Sequence, residues 1–467
     1  MLFNSYEFLF FLLPVALLGY YVFFPKSWRM GWLTLVGYFF YGWWDPRFVL
    51  LLATSTCFDY WAGKNLAAAQ DRRAKKRWLI FSITMNLTFL GFFKYFDLGA
   101  ATVNWVATKL GAHSPFVTLL HVTLPVGISF YTFQSMSYCI DLYYGVVRPA
   151  RTFWTYAGYV ALFPQLVAGP IVRFHELEHQ LVNRTHTWAK ASAGLTFFTL
   201  GFAKKVIIAD GVAPIVGEAF GKNGVGMFAA WSGLIAYAMQ IYFDFSAYSD
   251  MAVGLAMLLG FTLPQNFNSP YKSKSITEFW RRWHMSLSAW LRDYLYIPLG
   301  GNRLGHARTY VNLFITMLLG GLWHGASWTF VMWGGYHGVL LAIERARGKR
   351  ELLSFVPPAL QVVATFILVL FGWLLFRCSS LQHVGWMLRG LCGTNGFGAD
   401  FRHYFTENPQ NGLVFLFALG LTWSAPNTWQ IRWRPSWPLF FALGALLVMC
   451  VAIMLLNQSS PFLYFQF

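Results

Sequence analysis

Charged residues, and acidic ones above all, are scarce in this chain. Its 467 residues contain 18 Asp and Glu against 35 Lys and Arg, and charged residues make up 11% of the total, whereas soluble proteins have about 25%. Hydrophobic residues reach 57%, aromatic residues 20%, and the mean hydropathy is +0.47. These values exclude an ordinary soluble enzyme and predict an integral membrane protein with many passes.

Cysteines, linkers and repeats are also sparse or missing. The five cysteines, at positions 57, 139, 378, 392 and 450, form no close pair and no zinc-site spacing. The sequence shows no low-complexity tract, no flexible linker and no internal repeat of the kind found in inverted-repeat transporters. The first 25 residues lack a basic start and a cleavage site, which predicts a retained first helix. We therefore expect a single integral-membrane domain over residues 1–467.

Apolar segments recur along nearly the whole chain. A spanning helix needs about 20 apolar residues. Allowing for short, tilted, re-entrant and interfacial segments, the pattern predicts an all-α polytopic protein with roughly ten to twelve transmembrane helices. The apolar segments are 7–25, 79–93, 115–140, 193–209, 228–243, 308–333, 359–376, 412–423 and 437–456.

The basic residues indicate the orientation of the chain. The formal net charge is +17, but Lys and Arg gather in short stretches, as they do on the cytoplasmic side of membrane proteins. The clearest predicted cytoplasmic loops are 64–77 and 344–350, and Lys26 and Arg29 are expected on the same side. Counting passes back from 64–77 places the N-terminus outside the cytoplasm. Nucleic-acid binding is not expected.

Two histidines lie in segments where a polar side chain is costly unless it has a bonding partner or a function. His324 belongs to the apolar segment 318–338, and His284 to segment 279–301, where tryptophans alternate with arginines. An imidazole at membrane depth must find a partner or line a cavity, and it can take a proton from a hydroxyl and return it. Catalysis and helix packing explain His324 equally well. The arginines near His284 suit either a diphosphate or lipid headgroups.

A zinc-peptidase pattern occurs in residues 174–182. His175, Glu176 and His179 fit H-E-x-x-H, in which two histidines one helical turn apart bind zinc and the Glu acts as general base. The flanking residues predict a membrane-surface helix, and no residue of the membrane segments forms an evident third ligand. We therefore predict no metal site and interpret the pattern as a chance match.

A series of motifs, in order along the chain, resembles the membrane-bound O-acyltransferase (MBOAT) family, and specifically its bacterial branch with the membrane subunits of alginate O-acetyltransferases. Because the motifs cover the chain nearly end to end, they are far more specific than one H-E-x-x-H pattern. They are MLFNSYEFLFFLLPVALLGYY (1–21), LPVGISFYTFQSMSYCIDLYYG (124–145), FPQLVAGPIVRF (163–174), YFDFSAYSDMAVGLAMLLGFTLPQNFNSPY (242–271), SITEFWRRWHMSLSAWLRDYLYIPLGGNR (275–303), GGLWHGASWTFVMWGGYHG (320–338), FGWLLFR (371–377) and PFLYFQF (461–467).

The resemblance implies a ring of membrane helices around a central reaction channel, with His324 of the W-H-G motif as the essential catalytic residue and His284 of R-R-W-H-M-S as the second characteristic histidine. The implied reaction moves an acyl group, expected to be acetyl, from a cytoplasmic thioester such as acetyl-CoA toward an extracytoplasmic acceptor. Acetyl-CoA is then a substrate, and no bound cofactor is expected. We expect His324 to act as general base and His284 to orient the thioester or assist proton transfer.

Further residues are candidates for binding the donor or lining the channel. Arg281 and Arg282 could hold the phosphates of coenzyme A near the cytoplasmic face. Each of the other candidates could instead simply cap or bridge helices. These candidates are Trp280, Asp244, Ser246, Asn266, Asn268, Tyr271 and Trp323.

The resemblance also implies partners and a location. Such subunits work in the bacterial inner membrane, among its lipids, with an extracytoplasmic, serine hydrolase-like transferase and the machinery of polysaccharide synthesis and export. Alginate, cellulose and peptidoglycan are the candidate acceptors. Three other interpretations stay open: a transporter or flippase with a polar path through His324 and Asp244, a zinc membrane protease using His175 and His179, and a non-catalytic scaffold of a secretion complex.

Overall fold

The computed structural model describes residues 1–348, 355–431, 433–456 and 462–463. Every regular element within these ranges is helical. This confirms the all-α fold that composition and hydropathy predict. The chain groups into two compact units, one formed by residues 1–191 and 255–263 and the other by residues 192–254 and 264–467. The single domain over residues 1–467 stays a prediction.

The first unit contains the first nine α-helices of the chain. Its helices are α1 (Leu13–Leu18), α2 (Arg29–Gly42), α3 (Arg47–Ala68), α4 (Arg72–Leu90), α5 (Phe96–Lys109), α6 (Ile128–Tyr143), α7 (Phe153–Val160), α8 (Phe163–Leu166) and α9 (Phe174–Val182), with π-helical turns at Glu7–Leu12, Gly19–Phe23 and Gly91–Tyr95.

The basic stretch 64–77 is mostly helical and not the loop that the sequence predicts. Helix α3 continues to Ala68, and α4 begins at Arg72, where the Asp71 carboxylate accepts the Ala74 N–H at 3.3 Å and caps the helix. The basic residues therefore occupy two helix ends, where long Lys and Arg side chains can extend toward water. The stretch 344–350 behaves similarly at its start, because a later helix runs to Ala346.

A buried carboxylate joins α3 to α4 inside the first unit. Asp59 of α3 accepts hydrogen bonds from Ser82 Oγ at 2.6 Å and from Asn86 Nδ2 at 2.8 Å, both on α4. All three side chains are buried. Polar groups at this depth are costly unless they bond to one another, so this cluster fixes the register of the two helices. Sequence analysis did not single it out.

The remaining described helices have most of their residues in the second unit. They are α10 (Trp188–Ala203), α11 (Asp210–Phe220), α12 (Met227–Leu258), α13 (Ile276–Arg282), α14 (Met285–Leu291), α15 (Gly305–His324), α16 (Trp328–Ala346), α17 (Pro358–Arg377), α18 (Leu381–Leu391), α19 (Ala399–Glu407), α20 (Pro409–Ser424) and α21 (Trp437–Leu456), with π-helical turns at Lys204–Ala209 and Arg292–Tyr296 and a 3₁₀ turn at Pro270–Lys272.

Glycines allow α15 and α16 to pack closely. A Cβ atom on Gly321 would lie 2.3 Å from the Phe330 carbonyl oxygen, and one on Gly334 would lie 2.4 Å from the Met317 carbonyl oxygen. Small residues are what permit such backbone approach between membrane helices. Gly321, three positions before His324, thus makes room for helix α16.

Three continuous helices in the described residues are long and apolar enough to cross a membrane, judged by length and composition. They are Arg72–Lys109, Pro358–Arg377 and Trp437–Leu456, and Glu7–Phe23 is a shorter apolar helix. Other apolar segments are divided by turns: residues 115–127 are irregular, and α6 begins only after Gly127, whose φ is +76°. The chain is a membrane protein, and the number of passes stays a prediction.

Candidate active site

His324 is the last residue of α15 and is buried. The helix ends there because the backbone turns extended at Gly325, with φ −156° and ψ 150°. A Cβ atom on Gly325 would lie 2.1 Å from the ring of Phe330, so only glycine fits at this turn. The imidazole is 4% exposed. The turn therefore presents His324 inside the protein at the end of a rigid helix.

Aromatic rings surround His324 on several sides. Its ring centroid lies 5.0 Å from Trp323, 5.0 Å from Trp333 and 5.3 Å from Phe376, all with nearly perpendicular ring planes. Edge-to-face contacts of this kind restrict rotation of a ring and exclude water from it. The imidazole is thus held in a largely apolar, preorganised setting.

His284 lies beside His324 in the structure. It occupies the junction between α13 and α14 in a left-handed conformation, with φ 43° and ψ 54°, and its side chain is fully buried. The two histidine rings are 6.2 Å apart between centroids, and the ring of Phe245 packs 4.7 Å from His284. The structure thus brings together two histidines that are 40 positions apart in sequence.

Asn266 holds the turn that carries His284. The Asn266 carbonyl accepts the Met285 N–H at 2.9 Å, and its Oδ1 accepts the Ser286 N–H at 3.2 Å and the Ser286 hydroxyl at 2.9 Å. Asn266 Nδ2 donates to Ser249 Oγ at 3.2 Å. His284 makes no side-chain cap for α14, so Asn266 satisfies the first amides of that helix instead. Asn266 therefore braces this turn and does not line the small cavity at His324 described below; its predicted place in a channel stays a prediction.

A small cavity opens at His324. Of the predicted site residues, it includes His324 and Asp244, and it has room for about one water molecule. Its full lining is Ile241, Asp244, Phe245, Trp283, His324, Trp373, Phe376, Phe462 and Leu463. Sequence reasoning did not assign the aromatic walls or the segment after α21 to the site, although Trp283, Phe376 and Phe462 lie within the quoted motifs.

Asp244 is a buried carboxylate with defined partners. It is 1% exposed, its Oδ1 lies 2.9 Å from Lys205 Nζ, and its Oδ2 accepts the Leu463 N–H at 2.8 Å. Lys205 also pairs with Asp210 at 2.8 Å. A buried charge is tolerable only when it is paired and hydrogen-bonded, and this arrangement meets both conditions.

Several predicted residues bridge other elements. Tyr271 donates its hydroxyl to the Ala238 carbonyl at 2.7 Å, and Asn268 Oδ1 accepts from Asn427 at 3.0 Å. Trp280 Nε1 donates to His337 Nδ1 at 3.4 Å. Ser246 is buried in α12 but does not line the cavity. These residues are brought near the site, yet their described contacts are structural.

The two neighbouring arginines differ in their surroundings. Arg282 Nη2 lies 2.7 Å from Glu278 Oε1, and its Nη1 donates to the Asn268 carbonyl at 3.3 Å. Arg281 is exposed and forms no ion pair within the described residues. Of the two, Arg281 has its guanidinium available for an incoming anion.

The H-E-x-x-H pattern lies on the short helix α9 in the first unit. His175 Nδ1 is 2.9 Å from Asp141 Oδ2, Glu176 pairs with Arg173 at 2.9 Å, and His179 is exposed. No group of three His, Cys, Asp or Glu side chains that could hold a metal ion occurs in the described part of the chain. Glu176, the residue that would act as base in this pattern, caps its own helix instead.

Comparison with known proteins extends these findings. Residues 150–381 match the family model of the membrane-bound O-acyltransferases. The chain is 50% identical to the "Probable alginate O-acetylase AlgI" of Pseudomonas aeruginosa over 389 residues, covering 83% of this chain and 74% of that protein. It is 42% identical over 490 residues to the protein of the same name from Pseudomonas putida, covering both completely. It is also 37% identical to the "Peptidoglycan O-acetyltransferase" of Helicobacter pylori, covering 85% of this chain and 80% of that protein.

Proposed function

The chain belongs to the membrane-bound O-acyltransferase family and is an O-acyltransferase. From this premise, we propose that it moves an acetyl group from a cytoplasmic thioester, acetyl-CoA, toward an extracytoplasmic polysaccharide. The observation that carries the proposal is the buried pair of His324 and His284, with ring centroids 6.2 Å apart beside a small cavity. Relatives named as O-acetylases of alginate and of peptidoglycan support the acetyl group and the polymeric acceptor.

In the proposed mechanism, His324 acts as general base. The acceptor hydroxyl attacks the thioester carbonyl carbon while its proton passes to the imidazole. The carbon–sulfur bond then breaks, and the imidazolium returns the proton to the departing thiolate. The aromatic walls keep water from competing for the acyl group. A positioned base contributes about 10²–10⁴-fold to the rate.

His284 is proposed to act next to this base and not in its place. It does not line the cavity, but its ring is close enough to His324 for one water to connect the two imidazoles. From that position it can help orient the thioester or assist proton transfer. Its fixed turn, braced by Asn266, keeps that distance constant.

The donor is proposed to approach along the arginine-bearing helix α13. Arg281 is exposed, and a guanidinium can bind a phosphate oxygen pair in a bidentate manner. Arg282 is already bonded to Glu278 at 2.7 Å, so we assign the diphosphate of acetyl-CoA to Arg281. Trp323 packs 5.8 Å from the ring of His284 and supports its geometry, whereas Trp280 packs 5.2 Å from His337 of α16.

The cellular setting is also part of the proposal. Basic helix ends around residues 64–77 and 344–350 support a cytoplasmic side there, with the N-terminus outside. We place the chain as one multi-pass domain in the bacterial inner membrane. Its acceptor is alginate, cellulose or peptidoglycan, reached through an extracytoplasmic, serine hydrolase-like transferase and the polymer's synthesis and export machinery.

The test is acetyl transfer in inside-out membrane vesicles that contain the chain and its polymer machinery. Acetyl-CoA labelled in the acetyl group is added outside, and label in the polymer and free CoA thiol are both measured. We expect both to rise together, and neither to rise in vesicles that lack the chain. Movement of solute without thiol release would instead indicate a transporter and refute the proposal.

A further inference from the structure

Phe462 and Leu463, which follow α21 in the sequence, line the cavity of His324. Phe462 is 2% exposed and Leu463 8% exposed, and both line that cavity. These residues follow the last described helix, which ends at Leu456. Two side chains that line a reaction cavity occupy space that a substrate would otherwise take.

A buried ion pair fixes this segment. The Leu463 N–H donates to Asp244 Oδ2 at 2.8 Å, while Lys205 holds the other oxygen at 2.9 Å. A hydrogen bond to an ionised carboxylate is roughly twice as strong as a neutral one, and more so away from water. Asp244 thus acts as the anchor of Leu463 and positions the residue before it.

Phe462 forms one side of the cavity. Its ring packs 4.9 Å from Tyr248 and 5.7 Å from Phe245, so it cannot swing away without breaking both contacts. Phe245 in turn contacts His284. The space left beside His324 holds about one water molecule. A space of that size accepts a methyl group, but a longer acyl chain would have to displace Phe462.

We propose that Phe462 and Leu463, anchored by Asp244, form the wall that restricts the acyl group to acetyl. Phe462 is the specificity-determining side chain, and Asp244 is a positioning residue that acts through Leu463. This inference rests on the proposed acyl transfer from a thioester to a hydroxyl. It concerns which acyl groups are accepted and not which residue takes the proton.

The test compares acetyl-, propionyl- and butyryl-CoA as donors in vesicles, using the full chain, and measures kcat/KM for each. Discrimination by a hydrophobic pocket is about 10–200-fold per methylene. We therefore expect Phe462→Ala to raise the butyryl-to-acetyl ratio at least about tenfold. Asp244→Asn should raise it in the same direction by a smaller factor, because the segment is loosened but not shortened.

Asp250→Asn is the matched control for the anchor. Asp250 lies on the same helix α12, is buried, and pairs with Lys204 at 2.6 Å and with Thr428 at 2.7 Å. Among the described residues, it has no hydrogen bond or ion pair with Phe462 or Leu463. We expect this variant to lose stability without any change in the donor ratio. Phe440→Ala, at an exposed position of α21, controls for the loss of a phenylalanine ring.

The possible outcomes separate this inference from the proposed function. If the wild type uses acetyl-CoA and both Phe462→Ala and Asp244→Asn keep its donor ratio, the wall does not exist and the inference fails. If Asp250→Asn shifts the ratio as much as Asp244→Asn, the effect is general loosening and the anchor is refuted. If the wild type uses no acyl-CoA at all, the proposed function fails first.

Discussion

Replacing Asn266 by Ala tests whether the His284 turn is held by this one side chain. The substitution removes the acceptor of the Ser286 N–H (3.2 Å) and hydroxyl (2.9 Å) and the donor to Ser249 (3.2 Å). Ser286 and Ser249 are buried, and each buried group left unsatisfied costs about 1–3 kcal/mol. Because serine hydroxyls can rotate to other acceptors, we expect a loss of about 2–4 kcal/mol in the free energy of unfolding.

Activity should fall with stability, for a separate reason. The left-handed backbone of His284 costs about 1–3 kcal/mol, and without Asn266 the turn can relax and carry the imidazole away from His324. Unfolding of the purified protein in detergent and acetyl transfer in vesicles measure the two effects. Asn268→Ala is the control, since its side chain has one described bond, to Asn427 at 3.0 Å; we expect a loss of about 0.5–1.5 kcal/mol. Wild-type stability and transfer in Asn266→Ala would refute the reasoning.

Three further predictions concern packing, the second histidine and the donor. Gly334→Ala should lower the unfolding temperature, at a cost of about 1–3 kcal/mol, because the new Cβ would lie 2.4 Å from a backbone oxygen. Gly335→Ala is the control and should not lower it, because its Cβ would have its nearest atom at 3.7 Å. Equal melting curves for the two variants would contradict the close packing. His284→Ala should reduce kcat by about 10²-fold at unchanged protein amount in the membrane, and an unchanged kcat would remove His284 from the site. Arg281→Ala should raise the KM for acetyl-CoA about tenfold, as expected for one lost charge-assisted bond. Arg282→Ala should mainly reduce stability. The reverse pattern would assign the phosphates of the donor to Arg282.

Sequence reasoning predicted the fold class and the two histidines for different reasons. Composition suffices for an all-α membrane protein, because only helices and closed barrels satisfy backbone hydrogen bonds in lipid. His324 was singled out because an imidazole in an apolar segment is unusual, and His284 because it lies among alternating tryptophans and arginines. The resemblance supplied the roles expected of both. Their 6.2 Å separation depends on two helix ends meeting in space, which no local pattern encodes.

The residues that sequence reasoning missed are those whose importance arises from long-range contacts. In the sequence, Lys205 is one of two adjacent lysines, and only the fold shows that it neutralises Asp244. Phe462 lies in a quoted motif, yet its position against Tyr248, 214 positions earlier, could not be read from spacing. Conversely, Asn266 and Tyr271 were polar residues in a suggestive segment, and the structure gives them bracing contacts.

The stretch 64–77 shows a different limit of predicting structure from sequence. Its basic composition indicates a side of the membrane, and a run of charges is easily taken for a loop. The same residues are good helix formers, and Asp71 supplies the cap that starts α4. Charge pattern and helix propensity therefore answer different questions about the same residues.

The most direct test of the account is acetyl transfer from labelled acetyl-CoA by the wild type, His324→Ala and His179→Ala at equal amounts in the membrane. We predict that His324→Ala loses about 10²–10⁴-fold in rate, while His179→Ala, changed at an exposed position of α9, transfers normally. An active His324→Ala together with an inactive His179→Ala would contradict the assignment of the active site and return attention to the H-E-x-x-H pattern.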